Sequence, residues 1–254
     1  MKMPDEWDTL ELNGGRVRVG TPATYRLELA PVARGYADAQ IHDYAGLPRG
    51  DYQWRPGTVL RLRARFSHRV GELAGTAGFG FWNAPFGPGT GLLPALPQAV
   101  WFFYASAPGN LPLAPVGEIG RGWFAATIDA GARSALAWAP LAPAVLLLNQ
   151  FATLRRRLWP LVRRGLSISF AAMDVDLKEW HEYRLAWQNN GCFFQVDGSP
   201  LLATPFSPRG PLGFVCWIDN QYMVATPRGR VGWGVLPLSD GQWMEVADLR
   251  FDDG

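Results

Sequence analysis

From Thr58 to Phe66 the chain reads T-V-L-R-L-R-A-R-F, with apolar residues and arginines exchanging places at nearly every step. A period of two sends alternate side chains to opposite faces of an extended strand. The segment therefore predicts a half-buried strand with one solvated face. Strands are predicted in the same way at 25–30, 36–44, 123–129, 167–173, 182–188, 192–196, 213–218 and 244–251. Two further segments, 75–83 and 99–105, are apolar on both faces, which predicts strands in the centre of packed sheets. Between 180 and 222 the order is strand, tight turn, strand, turn, strand, proline-rich crossover, strand. Asn189-Asn190-Gly191 and Asp197-Gly198 read as hairpin turns, because Asn, Asp and Gly tolerate positive φ. Many short strands with regular turns predict an all-β antiparallel β-sandwich, a jelly roll. No break in composition divides the chain, so 1–254 is expected to be one domain.

One segment departs from period two. Between 143 and 164, Leu147, Phe151, Leu154, Leu158 and Leu161 recur at helical spacing, with Asn149, Gln150, Arg156, Arg157, Arg163 and Arg164 mostly opposite. This predicts one inserted amphipathic helix, opened by Pro143 and closed by Gly165, with Pro160 interrupting it near its end. Two placements are open. The apolar stripe packs on the sandwich, or the helix is a basic amphipathic one that rests on a membrane surface or caps a cleft.

Composition narrows the classes. The chain has 254 residues, 48% of them hydrophobic, enough for a substantial core, and only 18% are charged. A net charge of +2 gives no argument for a nucleic-acid partner. The opening M-K-M-P-D-E-W-D has no apolar core of a signal peptide, so a cytoplasmic location is expected. No apolar run reaches the roughly 18 residues of a membrane span. Cys192 and Cys216 could pair only if their strands are neighbours, which sequence does not decide; two buried free thiols are the expectation. The 12 tryptophans stand out, since aromatic plates line cores and clefts and suit sugar rings or flat apolar ligands.

Trp180, His181, Tyr183 and Trp187, followed by Val196-Asp197-Gly198, together with the upstream G-F-G-F-W-N at 78–83, resemble the concanavalin A-like jelly rolls of the laminarinase-type (family 16-like) glycoside hydrolases. The resemblance spans roughly residues 75 to 254 and implies the same fold. It also implies a catalytic strand carrying Glu-x-Asp-x-x-Glu, whose carboxylates stand about 5 Å apart for a retaining mechanism. That strand falls at 99–105, which reads A-V-W-F-F-Y-A and holds no carboxylate. Retaining-glycosidase chemistry is therefore not expected, and the cleft is expected to be aromatic rather than acidic.

The remaining polar candidates are few. Trp217, Asp219 and Gln221 share a face by parity, and a carboxylate ending so apolar a strand is costly unless paired or at a cleft rim. A cleft of Trp82, Asn83, Trp101, Tyr104, Trp217, Asn220 and Gln221 is expected to bind a ligand, with Asp219 and His42 as candidate catalytic groups. His181 is read as structural. Asp174, Asp176 and Glu179 form an acidic cluster that lacks the spacing of a calcium loop. No metal or cofactor is expected, and nucleophile elbow, P-loop and dinucleotide fingerprints are absent from the sequence.

Two functions follow. In one, the cleft binds an oligosaccharide by stacking on Trp and needs no catalytic pair. In the other, it is an enzyme of cyclase, isomerase or hydrolase type, acting on a largely apolar small molecule through an acid such as Asp219 or His42. A peripheral membrane contact through 143–164 is the third possibility.

Overall fold

The computed structural model describes residues 7–20, 24–85 and 95–253. In chain order the strands are β1 (Asp8–Leu12), β2 (Gly15–Gly20), β3 (Thr24–Leu29), β4 (Asp38–His42), β5 (Thr58–Phe66), β6 (Thr76–Trp82), β7 (Gln98–Ala105), β8 (Gly122–Asp129), β9 (Ser169–Ala172), β10 (His181–Gln188), β11 (Gly191–Val196), β12 (Ser199–Thr204), β13 (Gly213–Asp219), β14 (Gln221–Ala225), β15 (Val231–Val235) and β16 (Gln242–Asp253). Between β8 and β9 lie α1 (Arg133–Trp138), α2 (Ala142–Leu148) and α3 (Ala152–Gly165). Two seven-stranded sheets result, in the orders β1-β4-β13-β6-β7-β8-β9 and β12-β11-β10-β5-β16-β3-β2, and β14 pairs with β15 as a separate hairpin. Strand pairing is antiparallel throughout these sheets. This is the all-β antiparallel sandwich that the sequence implies.

β5 illustrates how the pattern becomes packing. Leu60, Leu62, Ala64 and Phe66 are buried between the sheets. Arg61, Arg63 and Arg65 point outward and meet Asp252, Asp248 and Glu245 of β16. Arg63 and Arg65 also lie over the Trp180 ring, at 5.0 and 4.9 Å from its centre. The β11–β12 turn is Asp197-Gly198, both residues at positive φ (49° and 74°), the two-residue hairpin geometry that matches strand twist.

The main core lies between the sheets, where Phe79, Phe102, Trp123, Tyr183 and Phe194 pack edge to face or in offset stacks. Cys192 and Cys216 are buried in it as free thiols, one from each sheet. A second hydrophobic cluster covers the opposite face of the first sheet and includes Tyr44, Tyr52, Phe103, Phe124 and Trp217. The loop around 111–113 and strand β14 close over this face, and there a cavity forms.

The segment at 143–164 differs from the single helix expected. It is broken at Asn149, Gln150 and Phe151, where the chain leaves α2 and enters α3. Asn149 is fully buried and its amide donates to Pro227 O, which ties the break to the β14–β15 turn. The stripe is not packed on the sandwich either: Leu147, Phe151, Leu154 and Leu161 are exposed. α3 instead buries Trp159 and Val162, with the Trp159 indole donating to Ala114 O at 3.4 Å. Among the described residues no helix is long and apolar enough to cross a membrane.

Candidate functional site

The floor of the cavity is the outer face of β4, β13, β6 and β7. Register puts Trp217 across from Gly78, and Gly80 across from Trp101. A Cβ on Gly78 would come within 2.8 Å of the Trp217 ring, and one on Gly80 within 2.7 Å of Trp101 Cβ. Glycine at these two positions thus lets the large side chains of neighbouring strands lie across β6. Trp82 and Trp217 are nearly parallel (8°) with centres 6.5 Å apart, and Trp101 sits 6.1 and 5.8 Å from them. The result is an aromatic floor of three indoles beside Phe103, which lies 5.2 Å from Trp217.

At one end of this floor stand two carboxyls. Asp38 on β4 and Asp219 on β13 are direct partners across the antiparallel ladder, and each is 1% exposed. The Tyr36 hydroxyl lies 3.1 Å from Asp38 Oδ2 and 3.3 Å from Asp219 Oδ2. A phenol has one proton to donate, so both contacts are satisfied together when one carboxyl keeps its own proton and donates it to the phenol oxygen. The surroundings say which. Asp219 Oδ1 accepts from Thr76 N, Thr76 Oγ1 and Gln221 N at 3.2, 2.8 and 3.1 Å, the environment of an anion. Asp38 Oδ1 has no hydrogen-bond partner. These contacts favour the proton on Asp38 and the charge on Asp219.

Electrostatics point the same way. Burial, then the like charge of Asp219, pushes the Asp38 carboxyl well above the ordinary carboxylate range. Burial pushes Asp219 up to about 7, against the hydrogen bonds of Thr76, Gln221 and Tyr36 that pull it down. Burial and the two neighbouring carboxylates raise Tyr36 beyond the normal phenol range, so it stays a neutral hydroxyl that bridges the pair. Two like charges taken out of water cannot both persist, and one shared proton is the cheap solution.

The cavity above holds about 330 Å³, the lower end of the range for small-molecule sites. Its walls are apolar, with Leu10, Leu111, Leu113, Ile128, Met223 and Ala225 around the indoles, and the polar groups reaching it are Tyr36, Asp38, Gln40, Tyr44, Thr76, Asp219 and Gln221. Gln40 is held toward the Tyr44 hydroxyl at 3.3 Å, and Tyr44 accepts from the Trp82 indole at 2.8 Å. The structure thus brings Trp82, Trp101, Trp217, Asp219 and Gln221 of the expected cleft together.

The other expected site residues lie elsewhere. Tyr104 is a correction of parity: three positions from Trp101, it faces the inter-sheet core, where its hydroxyl donates to Leu73 O and accepts from Gly71 N. Asn83 ties the ends of β6 and β7, donating to Leu96 O and accepting from Gln98 N. Asn220 is a clip: its Oδ1 accepts from Ala37 N, and its Nδ2 donates to Gly35 O and Leu236 O. His42 shares the outer face with Asp38 and Gln40, but it packs on Tyr44 (4.6 Å) with Nδ1 3.1 Å from Gln40 Nε2, outside the cavity lining. Asp176 of the acidic cluster pairs with Arg69, and among the described residues no group of three or more His, Cys, Asp or Glu converges on one point. Sequence reasoning missed Tyr36 and Asp38. The available signal was Asp38, Gln40 and His42 at period two, a polar face on an otherwise apolar strand. On β7 the outer face is Trp101, Phe103 and Ala105, so the strand that the family resemblance makes catalytic presents an aromatic surface here.

No protein-family model matches the chain, and no curated protein matches it in sequence. Among solved structures it is similar to a sialidase (6% identity, TM-score 0.46), over 98% of this chain and 17% of that one. The chain therefore spans 17% of the length of that sialidase. It is similar to an immunostimulatory antigen and pseudo β-1,3-glucanase of Mycobacterium tuberculosis (14% identity, TM-score 0.48), over 99% of this chain and 92% of that one. It is also similar to the Emp47p carbohydrate recognition domain (12% identity, TM-score 0.48), over 100% of this chain and 91% of that one.

Proposed function

We propose that the protein binds a largely apolar small molecule on the indole floor and acts on it by proton transfer through Asp38, Tyr36 and Asp219. One observation carries this reading: a buried carboxyl pair bridged by one phenol opens into an aromatic cavity, and Asp38 Oδ1 lacks a partner. An acid kept neutral by burial is a competent proton donor near pH 7. Asp38 gives its proton to one atom of the ligand, and the pair takes a proton back from another. The net change is an isomerisation or a ring closure. It exchanges no electrons and needs no co-reactant, while the apolar walls keep water from the charged intermediate.

A second reading is oligosaccharide binding without chemistry. It is favoured by the parallel Trp82 and Trp217 plates, which suit sugar rings. Against it stands the internal pairing of the polar groups that reach the cavity, Tyr36, Gln40, Tyr44, Thr76 and Asp219 among them, since a sugar carries a hydroxyl on nearly every carbon and each would need a partner.

The test has two stages. A thermal-shift screen finds compounds that bind the folded state. Those compounds are then incubated with the protein in D2O. The expected result is deuterium on a carbon of the recovered ligand, absent with Asp38→Asn. Compounds that bind and return unlabelled remove the chemistry and leave a binding protein. Stabilisation by oligosaccharides alone removes the reading.

A further inference from the structure

The surface made by α1, α2, α3 and the β14–β15 hairpin is apolar and basic at once. Leu147, Phe151 and Trp233 are 66%, 60% and 78% exposed, and Leu141, Leu146, Leu161 and Val231 are exposed beside them in the chain. Side chains of this size, left in water together, mark an interaction surface. The helices and the hairpin form one surface. Asn149 and Gln150 donate to Pro227 O and Arg228 O at 3.0 and 2.9 Å, and a Cβ on Gly229 would come within 3.2 Å of the Leu146 side chain.

Its charge is predominantly positive. No Asp or Glu occurs from 130 to 173 or from 220 to 239, while α3 carries Arg155, Arg156, Arg157, Arg163 and Arg164 and the hairpin turn carries Arg228 and Arg230. Glu118, from the loop before β8, sits among Arg155, Arg228 and Arg230 and near Arg163, and leaves the exposed Arg156 and Arg157 unmatched. A second copy seated symmetrically on this face would bring arginines against arginines. A bilayer of anionic lipid offers acyl chains to the leucines, phosphates to the arginines, and the interfacial depth that indoles prefer.

The surface is also continuous with the cavity. Gln221, Met223 and Ala225 of β14 line the cavity, and their ladder partners on β15 are Val235, Trp233 and Val231. Directly paired residues of an antiparallel ladder share a face, so the apolar wall runs from the cavity out to exposed Trp233.

We propose that this face seats the protein on an anionic membrane surface, with Leu147, Phe151 and Trp233 inserted at the interface and the α3 arginines on the lipid phosphates. The docking stands independently of any proton transfer in the cavity.

Co-sedimentation with vesicles tests it, using phosphatidylcholine alone and phosphatidylcholine mixed with phosphatidylglycerol. The wild type is expected to sediment with the mixed vesicles at low ionic strength and to be released by added salt. Phe151→Asp and Trp233→Asp, both at exposed positions, are expected to stay in the supernatant with an unchanged circular dichroism spectrum. Arg156→Glu with Arg157→Glu is expected to lose the preference for phosphatidylglycerol. A wild type that stays in the supernatant at low salt overturns the proposal, as do aspartate variants that sediment like the wild type. So does a wild-type dimer that Phe151→Asp converts to monomer, because that result assigns the face to a second copy.

Discussion

Asp38 and Asp219 stand opposite one another on neighbouring strands, and a single hydroxyl, that of Tyr36, lies within 3.3 Å of both. The same face carries Gln40 and His42 on β4 and Val215 and Trp217 on β13. Burial of two like carboxyls side by side favours their holding a proton, and this has consequences for pH, for packing and for ligand binding.

The pH dependence of stability has a definite sign. Both carboxyls bind their proton more tightly in the folded state than in the unfolded chain. Their contribution is complete below the ordinary aspartate range, near pH 4, and is lost as pH rises through the folded value of Asp219, about 7. Melting temperature is expected to fall between about pH 5 and pH 8. Asp38→Asn, which removes one of the two titrating carboxyls and keeps a donor for Tyr36, is expected to flatten that fall and to be the more stable protein at the upper end. Parallel profiles for the two proteins would exclude the shared proton.

Gly78 is required by the floor it faces. A methyl group there would press on Phe102 O as well as on the Trp217 ring. Gly78→Ala is expected to cost about 1–3 kcal/mol, the usual penalty for overpacking, and to weaken ligand binding by displacing the indole. Chemical denaturation with and without ligand measures both effects.

Asn220 and Gln221 are neighbours with different work. Asn220→Ala leaves Ala37 N, Gly35 O and Leu236 O without their side-chain partner, and about 3 kcal/mol of stability is expected to go with them. Gln221→Ala is expected to leave the melting temperature nearly unchanged and to alter ligand affinity, since its side chain reaches the cavity. The opposite pattern in melting and binding would exchange the two assignments.

Burial pushes the Cys192 thiol up to about 12 and Cys216 higher still. Neither forms a reactive thiolate in the native state. Iodoacetamide at mildly alkaline pH is expected to label neither in the folded protein and both after denaturation; mass spectrometry of the intact chain reads the count.

The sandwich was legible because its strands obey simple patterns. β5 and the run from β10 to β13 alternate cleanly, and Asp197-Gly198 names its own turn. β1 and β2 escaped notice, although Asn13-Gly14 marks the turn that carries the chain from one sheet to the other. β14 and β15 escaped because V-G-W-G-V has no side chain at alternate positions to reveal a period. The indole floor was legible as a set of tryptophans, and the same period-two rule excludes Tyr104 once Trp101 is placed on the floor. Asp38 was not legible, because its meeting with Asp219 depends on register between strands some 180 residues apart. Helical spacing revealed the Leu147–Phe151 stripe but carried no information about what covers it.

The central claim is that the cavity takes an apolar ligand. The most direct measurement is a thermal shift against lipophilic small molecules and oligosaccharides, in the wild type and in Met223→Trp, which fills the cavity from its wall. Stabilisation of the wild type by lipophilic compounds, abolished in Met223→Trp while the free variant melts normally, is the expected result. Stabilisation by oligosaccharides alone, or by lipophilic compounds equally in both proteins, would contradict it.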